Sequence, residues 1–228
     1  MNLRSTIPLK KSQGSKQATN VTTDSLLNTY SDVFEGLGCL PGELHLNINK
    51  SVPPVQNAPR KLPLAVKEPV KVKIDAMVKA GILSKVEEPT EWISSMVVVQ
   101  RPDKLRICID PKPLNKALRR NNYIMPTIDD VIPELTDAKV FSVLDAKDGF
   151  YHVKLDHESS LLTTFWTPFG RYRWLRMPFG IKPAPEEYQK RQKEALDGLK
   201  GIHIIADDIL VVGCGATHEI ALKAVTGS

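Results

Sequence analysis

Ile204-Ile205-Ala206-Asp207-Asp208-Ile209-Leu210-Val211-Val212 is an apolar, β-branched run broken by two adjacent acids. Such a run favours a strand with its side chains buried. Carboxylates are costly in that setting unless a cation meets them. A tight hairpin with the acids at its tip resolves the conflict, and a divalent metal is the obvious cation. The alternative for a lone Asp-Asp pair is a solvated turn.

A third acid stands in a matching context upstream. Val140-Phe141-Ser142-Val143-Leu144-Asp145 reads as a strand ending on a carboxylate, and Ala146-Lys147-Asp148-Gly149 breaks the pattern. Three carboxylates from two adjacent strands can hold two Mg²⁺ ions about 4 Å apart, the arrangement used for phosphoryl transfer. Magnesium keeps several positions for water and substrate phosphates, so few protein ligands are needed. No His or Cys cluster offers a transition-metal site instead.

Working outward, the remaining elements alternate. Residues 1–23 are polar and aperiodic and read as a disordered leader. Residues 24–63 form an N-terminal arm, with a short helix over 24–34. Five prolines between Pro53 and Pro69 predict an extended stretch pinned to a surface. A helix is expected from Pro69 as first helical residue, with Val70, Ile74, Met77 and Val78 on one face and Gly81 as its stop. Trp92 to Gln100 and Leu105 to Ile109 read as a hairpin across Pro102-Asp103-Lys104. Leu161 to Trp166 and Arg171 to Met177 read as another, across Thr167-Pro168-Phe169-Gly170. Pro183 to Leu199 reads as a helix with Tyr188, Ala195 and Leu199 inward. The order of strands and helices gives an α+β class.

The chain has 228 residues, 42% of them hydrophobic, enough for a sizeable core. A net charge of +5 suits a polyanionic partner. Cys39, Cys108 and Cys214 are too scattered for a disulfide framework, which points to a reducing compartment, cytoplasmic or nuclear. No apolar stretch has the length of a membrane span.

Four blocks, taken together and in order, carry a resemblance. They are Leu105-Arg106-Ile107-Cys108-Ile109-Asp110-Pro111, Phe141 to Phe150 around Asp145, Arg176-Met177-Pro178-Phe179-Gly180-Ile181-Lys182-Pro183-Ala184-Pro185, and Ile205-Ala206-Asp207-Asp208. Over roughly residues 30 to 220 the chain closely resembles the reverse transcriptase domain of gypsy-type LTR retrotransposons. The resemblance implies the fingers and palm of a right-hand polymerase over 64–215, with an antiparallel palm sheet and helices on one face. It implies an RNA-directed DNA polymerase that adds deoxynucleotides to a primer 3′ end by two-metal chemistry. The alternative is an inactive retroelement remnant that binds nucleic acid or a protein.

The resemblance also assigns residues. Asp145, Asp207 and Asp208 would be catalytic and hold two Mg²⁺ (or Mn²⁺) ions. Arg106, and less directly Arg101, would grip the triphosphate, since guanidinium matches phosphate in charge and geometry. Phe150 would exclude the ribose 2′-hydroxyl, while Asp148 reads as a turn residue. Phe179 and Gly180 would line the base and template. Lys112, Lys116, Arg119 and Arg120 form one basic track, and Arg171 and Arg173 part of another, for sequence-independent phosphate contact with a template–primer. Strand alternation places Tyr172 and Trp174 in the core rather than against bases.

Three departures set further expectations. Ile205 stands where the family usually has Tyr. The fingers turn Arg101-Pro102-Asp103-Lys104 is one residue short and lacks glycine, so strain or a register shift near Arg106 is expected. Residues 216–228 read as a short tail where the family continues into thumb, connection and RNase H, which a longer pol polyprotein or a second chain would supply.

Overall fold

The computed structural model of the chain describes residues 2–3, 28–29, 31, 35–101, 104–205 and 208–215. In chain order its elements are β1 (Asn2–Leu3), β2 (Glu43–Leu44), α1 (Leu64–Lys79), β3 (Leu83–Val86), β4 (Ser94–Arg101), β5 (Lys104–Asp110), α2 (Lys112–Ala117), α3 (Ile128–Val131), β6 (Ala138–Asp145), β7 (Lys154–Leu155), α4 (His157–Leu162), β8 (Phe165–Thr167), β9 (Gly170–Trp174), α5 (Ala184–Ala195), β10 (Ile202–Ile205) and β11 (Asp208–Cys214). Short 3-10 turns cover Ile132–Leu135 and Gly149–His152. The class is α+β, with mainly antiparallel sheets. Among the described residues no helix is long and apolar enough to cross a membrane. Two compact units emerge, one from residues 39–125 and 148–195, the other from 1–38, 126–147 and 196–228.

The larger unit is built on a five-stranded sheet of order β3-β9-β8-β4-β5, in which only β4 and β8 run parallel. Its core holds Val70 and Ile74 of α1 with Leu83, Ile107, Phe165 and Trp174, all 2% exposed or less. Helix α1 starts earlier than its composition predicts. It begins right after Pro63 and carries Pro69 in its interior. Pro69 has no N–H for the Ala65 carbonyl, a local loss that burial of Val70, Ile74 and Met77 outweighs. Val78, expected on that face, is 39% exposed. Gly81 ends the helix as expected, at φ +67°.

Residues 39–63 of the arm fall within this unit. Leu44 and Leu46 are buried, β2 pairs in parallel with β7, and the Leu46 N–H donates to Ser159 Oγ at 2.7 Å. Arg191 of α5 pins the same arm by donating to the carbonyls of Pro41, Gly42 and Glu43, while its Nε meets Glu187 Oε1 at 2.7 Å. Residues 53–63 are extended and anchored, with the Asn57 N–H donating to the Ile93 carbonyl and the Ile93 N–H to that of Val55.

The hairpin of β4 and β5 stays in register from Ser95–Asp110 to Arg101–Lys104. The expected register shift does not occur, because Ile107 and Ile109 are buried and a slip by one residue would expose both. Pro102 and Asp103 of its turn lie outside the described residues. The second hairpin is shorter than expected. Leu161 and Leu162 belong to α4, whose start is capped by Asp156 accepting the Ser159 N–H. Helix α5 ends at Ala195; Leu199 lies beyond it at 56% exposure, and Ala195 itself is exposed. Its buried face is polar instead, with Glu186, Glu187, Gln189 and Gln192 beside Tyr188.

The smaller unit carries an antiparallel sheet of order β1-β6-β11-β10. Strand β1 corrects the reading of a wholly unstructured leader, since Asn2 and Leu3 pair with Asp145 and Leu144 at the open edge of β6. Most of the leader, and most of the helix expected over 24–34, lie outside the described residues. Gly201 precedes β10 at φ +70°, and a Cβ there would fall 2.6 Å from the Val212 carbonyl oxygen. Only glycine fits, and the close approach lets the Val212 N–H donate to the Gly201 carbonyl at 2.7 Å.

Candidate functional site

In the smaller unit, β10 and β11 pair from Ile202–Val211 to Ile205–Asp208, and only Ala206 and Asp207 separate the two strands in sequence. These two residues lie outside the described residues. Strand β11 also pairs with β6, and Asp208 and Asp145 are direct Cα partners. Residues opposite each other on an antiparallel pair hold their Cβ atoms about 4.5–5.5 Å apart. Both carboxylates are exposed at the end of the sheet.

Like charges directly opposite each other oppose pairing. Among the described residues neither Asp145 nor Asp208 has an ion-pair partner, and no group of three His, Cys, Asp or Glu stands ready for a metal. Among the described residues the donor set is therefore two facing carboxylates. Oxygen donors alone, without imidazole or thiolate, fit a hard divalent cation such as Mg²⁺ or Mn²⁺.

In the larger unit, Phe150 sits in the turn Gly149–His152 and is 9% exposed. Its ring stacks on Phe179, with centroids 4.7 Å apart, and meets Tyr188 edge-on at 5.4 Å. Tyr151 stacks on Trp174 at 5.5 Å and meets Phe179 edge-on at 5.4 Å. Burial pushes the Tyr151 hydroxyl well above its usual range; Cys108 and Asp148 push the same way and Arg106 opposes them. Burial also raises the Cys108 thiol, again against Arg106. The field of the Arg106 guanidinium thus reaches this aromatic group from β5, where Arg106 is exposed opposite Val99. Arg101 is the last residue of β4 and exposed. Asp148 adopts φ +53°, the left-handed geometry of an Asp-Gly turn. Gly180 is exposed at φ +99° over Pro111.

The basic residues divide into two kinds. Lys112, Lys116 and Arg119 are exposed on and after α2, and Arg120 is exposed within 3.5 Å of Glu186. Arg171 and Arg173 are half-buried and already engaged. Arg171 donates to the Glu87 carbonyl at 3.0 Å and lies over the Trp166 ring, and Arg173 meets His157 Nδ1 at 3.2 Å. Tyr172 and Trp174 are buried, as strand alternation predicts.

Sequence reasoning missed two residues beside these. Tyr151 follows the block that ends at Phe150 and was not singled out, yet it touches both Phe179 and Trp174. Asn115 donates from Nδ2 to the Gly180 carbonyl at 2.9 Å and accepts the Lys182 N–H at 2.7 Å. An Asn inside a helix is a weak signal in itself, because its amide competes with the helix backbone and needs a partner elsewhere.

The profile of the family described as reverse transcriptase (RNA-dependent DNA polymerase) matches residues 94–226. The retrovirus-related Pol polyprotein from transposon 412 of Drosophila melanogaster is 34% identical over 159 residues, covering 65% of this chain and 13% of that protein. The enzymatic polyprotein of cauliflower mosaic virus (strain Strasbourg) is 39% identical over 113 residues, covering 49% of this chain and 17% of that protein. The chain therefore spans under a fifth of the length of these two curated relatives. The solved foamy viral protease-reverse transcriptase in complex with RNA/DNA hybrid superposes with a TM-score of 0.73. It covers 90% of this chain and 28% of that one at 21% identity, a likeness of fold alone.

Proposed function

We propose a function from one premise: the chain belongs to the reverse transcriptase (RNA-dependent DNA polymerase) family. Enzymes of this family depend on divalent metal. On this reading the chain carries polymerase chemistry, adding deoxynucleotides to a primer 3′ end on an RNA template. The observation that carries it is the direct pairing of Asp145 with Asp208, the residue that follows Asp207 in sequence. Folding brings together acids more than 60 residues apart in sequence, on a sheet end where the facing charges call for a cation.

Asp145, Asp207 and Asp208 would hold the divalent ions. When bound, Mg²⁺ supplies a lowered pKa at the primer 3′-hydroxyl and compensation of triphosphate charge. Arg106 would grip the triphosphate, with Arg101 as a second cation. Phe150, backed by Phe179 and Tyr188, would bar a ribose 2′-hydroxyl. Phe179 and Gly180 would face the base. Lys112, Lys116 and Arg119 would track template–primer phosphates. Further domains of a polyprotein would act beside this one.

Primer extension on an RNA template with Mg²⁺ tests the reading. Wild type is expected to incorporate dNTPs, and Asp145→Asn to lose at least about a hundredfold while keeping template–primer affinity. Equal activity in the two proteins refutes it. Nucleic-acid binding without extension in either would favour a non-catalytic binding role.

A further inference from the structure

The segment Phe179–Lys182 has no strand or helix of its own to hold its shape. Gly180 takes φ +99°, a conformation that costs side-chain-bearing residues and that glycine visits without preferring it. Yet Phe179 must present a fixed ring, because it stacks on Phe150 at 4.7 Å and abuts Tyr151 at 5.4 Å. Something outside the segment must hold the turn.

Asn115 does so from helix α2. Its Nδ2 donates to the Gly180 carbonyl at 2.9 Å, and its Oδ1 accepts the Lys182 N–H at 2.7 Å. One planar amide therefore satisfies a backbone acceptor and a backbone donor two residues apart, as a strand partner would. The clamp is itself anchored, since the Asn115 N–H donates to the Pro111 carbonyl at 2.7 Å. Pro111 also forms the floor of the turn, its Cγ lying 3.6 Å from where a Gly180 Cβ would be.

We propose that Asn115 is a positioning residue for nucleotide selection: its side-chain amide sets the turn that carries Phe179, and through the Phe179–Phe150 stack it sets the surface against which the incoming dNTP sugar and base are read. The inference deepens the polymerase reading and rests on it. Asn115 reaches the nucleotide only through the turn. Its loss therefore weakens dNTP binding and sugar discrimination and spares the chemical step.

Asn115→Ala and Asn115→Asp separate the two hydrogen bonds. Alanine removes both. Aspartate keeps the shape and the acceptor for the Lys182 N–H, but sets a carboxylate oxygen against the Gly180 carbonyl where a donor is required. Both variants are expected to raise the dNTP KM about tenfold. Both should leave kcat within about twofold. The preference for dNTP over rNTP should fall in both. That preference is a ratio, so a lower folded fraction does not change it. Hydrogen exchange of the Lys182 amide should quicken in Asn115→Ala and less in Asn115→Asp. An unchanged KM and sugar ratio in both variants, in a wild type that extends primers, overturns the inference and leaves the polymerase reading intact. A wild type that binds template–primer but extends nothing overturns both.

Discussion

Asp208 stands directly opposite Asp145 across the antiparallel pair of β11 and β6, and neither acid has a cationic partner among the described residues. Two facing negative charges oppose strand pairing, so the site works against the fold that builds it. Asp208→Asn removes that repulsion. The variant is expected to lose primer extension while melting no lower than wild type in metal-free buffer. Adding Mg²⁺ should raise the melting temperature of wild type more than that of the variant, since a ligand bound only by the folded state stabilises it. A variant that melts several degrees lower would show the acid to be structural.

Gly149 lies under the ring of Tyr188. A Cβ on Gly149 would come within 2.5 Å of Tyr188 Cζ and closer still to the hydroxyl. Tyr188 is 2% exposed and its Oη accepts from Gln192 Nε2 at 2.9 Å, so the ring cannot swing into solvent. Gly149→Ala is expected to destabilise by about 1–3 kcal/mol, an overpacking cost. Combining it with Tyr188→Leu should cost less than the sum of the single changes. Additive losses in chemical denaturation would disprove the contact.

The exposed cations on α2 and the engaged arginines of β9 should behave differently towards nucleic acid. Lys112→Ala and Lys116→Ala are each expected to reduce the salt slope of template–primer binding by about one. Arg173→Ala should leave the slope unchanged, because that guanidinium already meets His157. Filter binding across a salt series decides, and a drop in slope for Arg173→Ala would return it to the phosphate track.

Asp156 ties the arm to α4. Burial pushes its carboxyl up, but hydrogen bonds from Ser159 and from His45, whose Nδ1 is 2.6 Å away, outweigh that and hold it below the usual carboxylate range. A carboxyl depressed in the folded state contributes stability that is full above its unfolded value of about 4 and is lost as pH falls through its folded value. Urea midpoints should therefore fall more steeply in wild type than in Asp156→Asn as pH drops below about 4. At neutral pH the variant should keep the N-cap, since asparagine caps about as well as aspartate, and lose only the charge-assisted part of its bonds to Ser159 and His45. Parallel pH curves would refute the linkage.

Periodicity and local chemistry alone placed the strands that matter. The β-branched runs around Asp145 and Asp208 could hardly be anything else, and Gly81 marked the end of α1 because only a left-handed residue closes it there. Boundaries were less legible. Pro69 looks like a helix start until the burial of Val70, Ile74 and Met77 shows that packing overrides the missing N–H. Leu161 looks like a strand residue until the Asp156 cap claims it for α4. The polar face of α5 was invisible because Glu187 is buried with partners in Asn121 and Arg191, the latter held by three carbonyls some 150 residues away.

The residue types, acids, an arginine and paired aromatics, were written in the sequence, because side-chain chemistry does not depend on folding. Which of them meet was decided by tertiary structure. The register of β6 against β11 sets Asp145 opposite Asp208, a one-residue slip would turn one acid to the other face, and no local pattern fixes a pairing between strands so far apart in the chain.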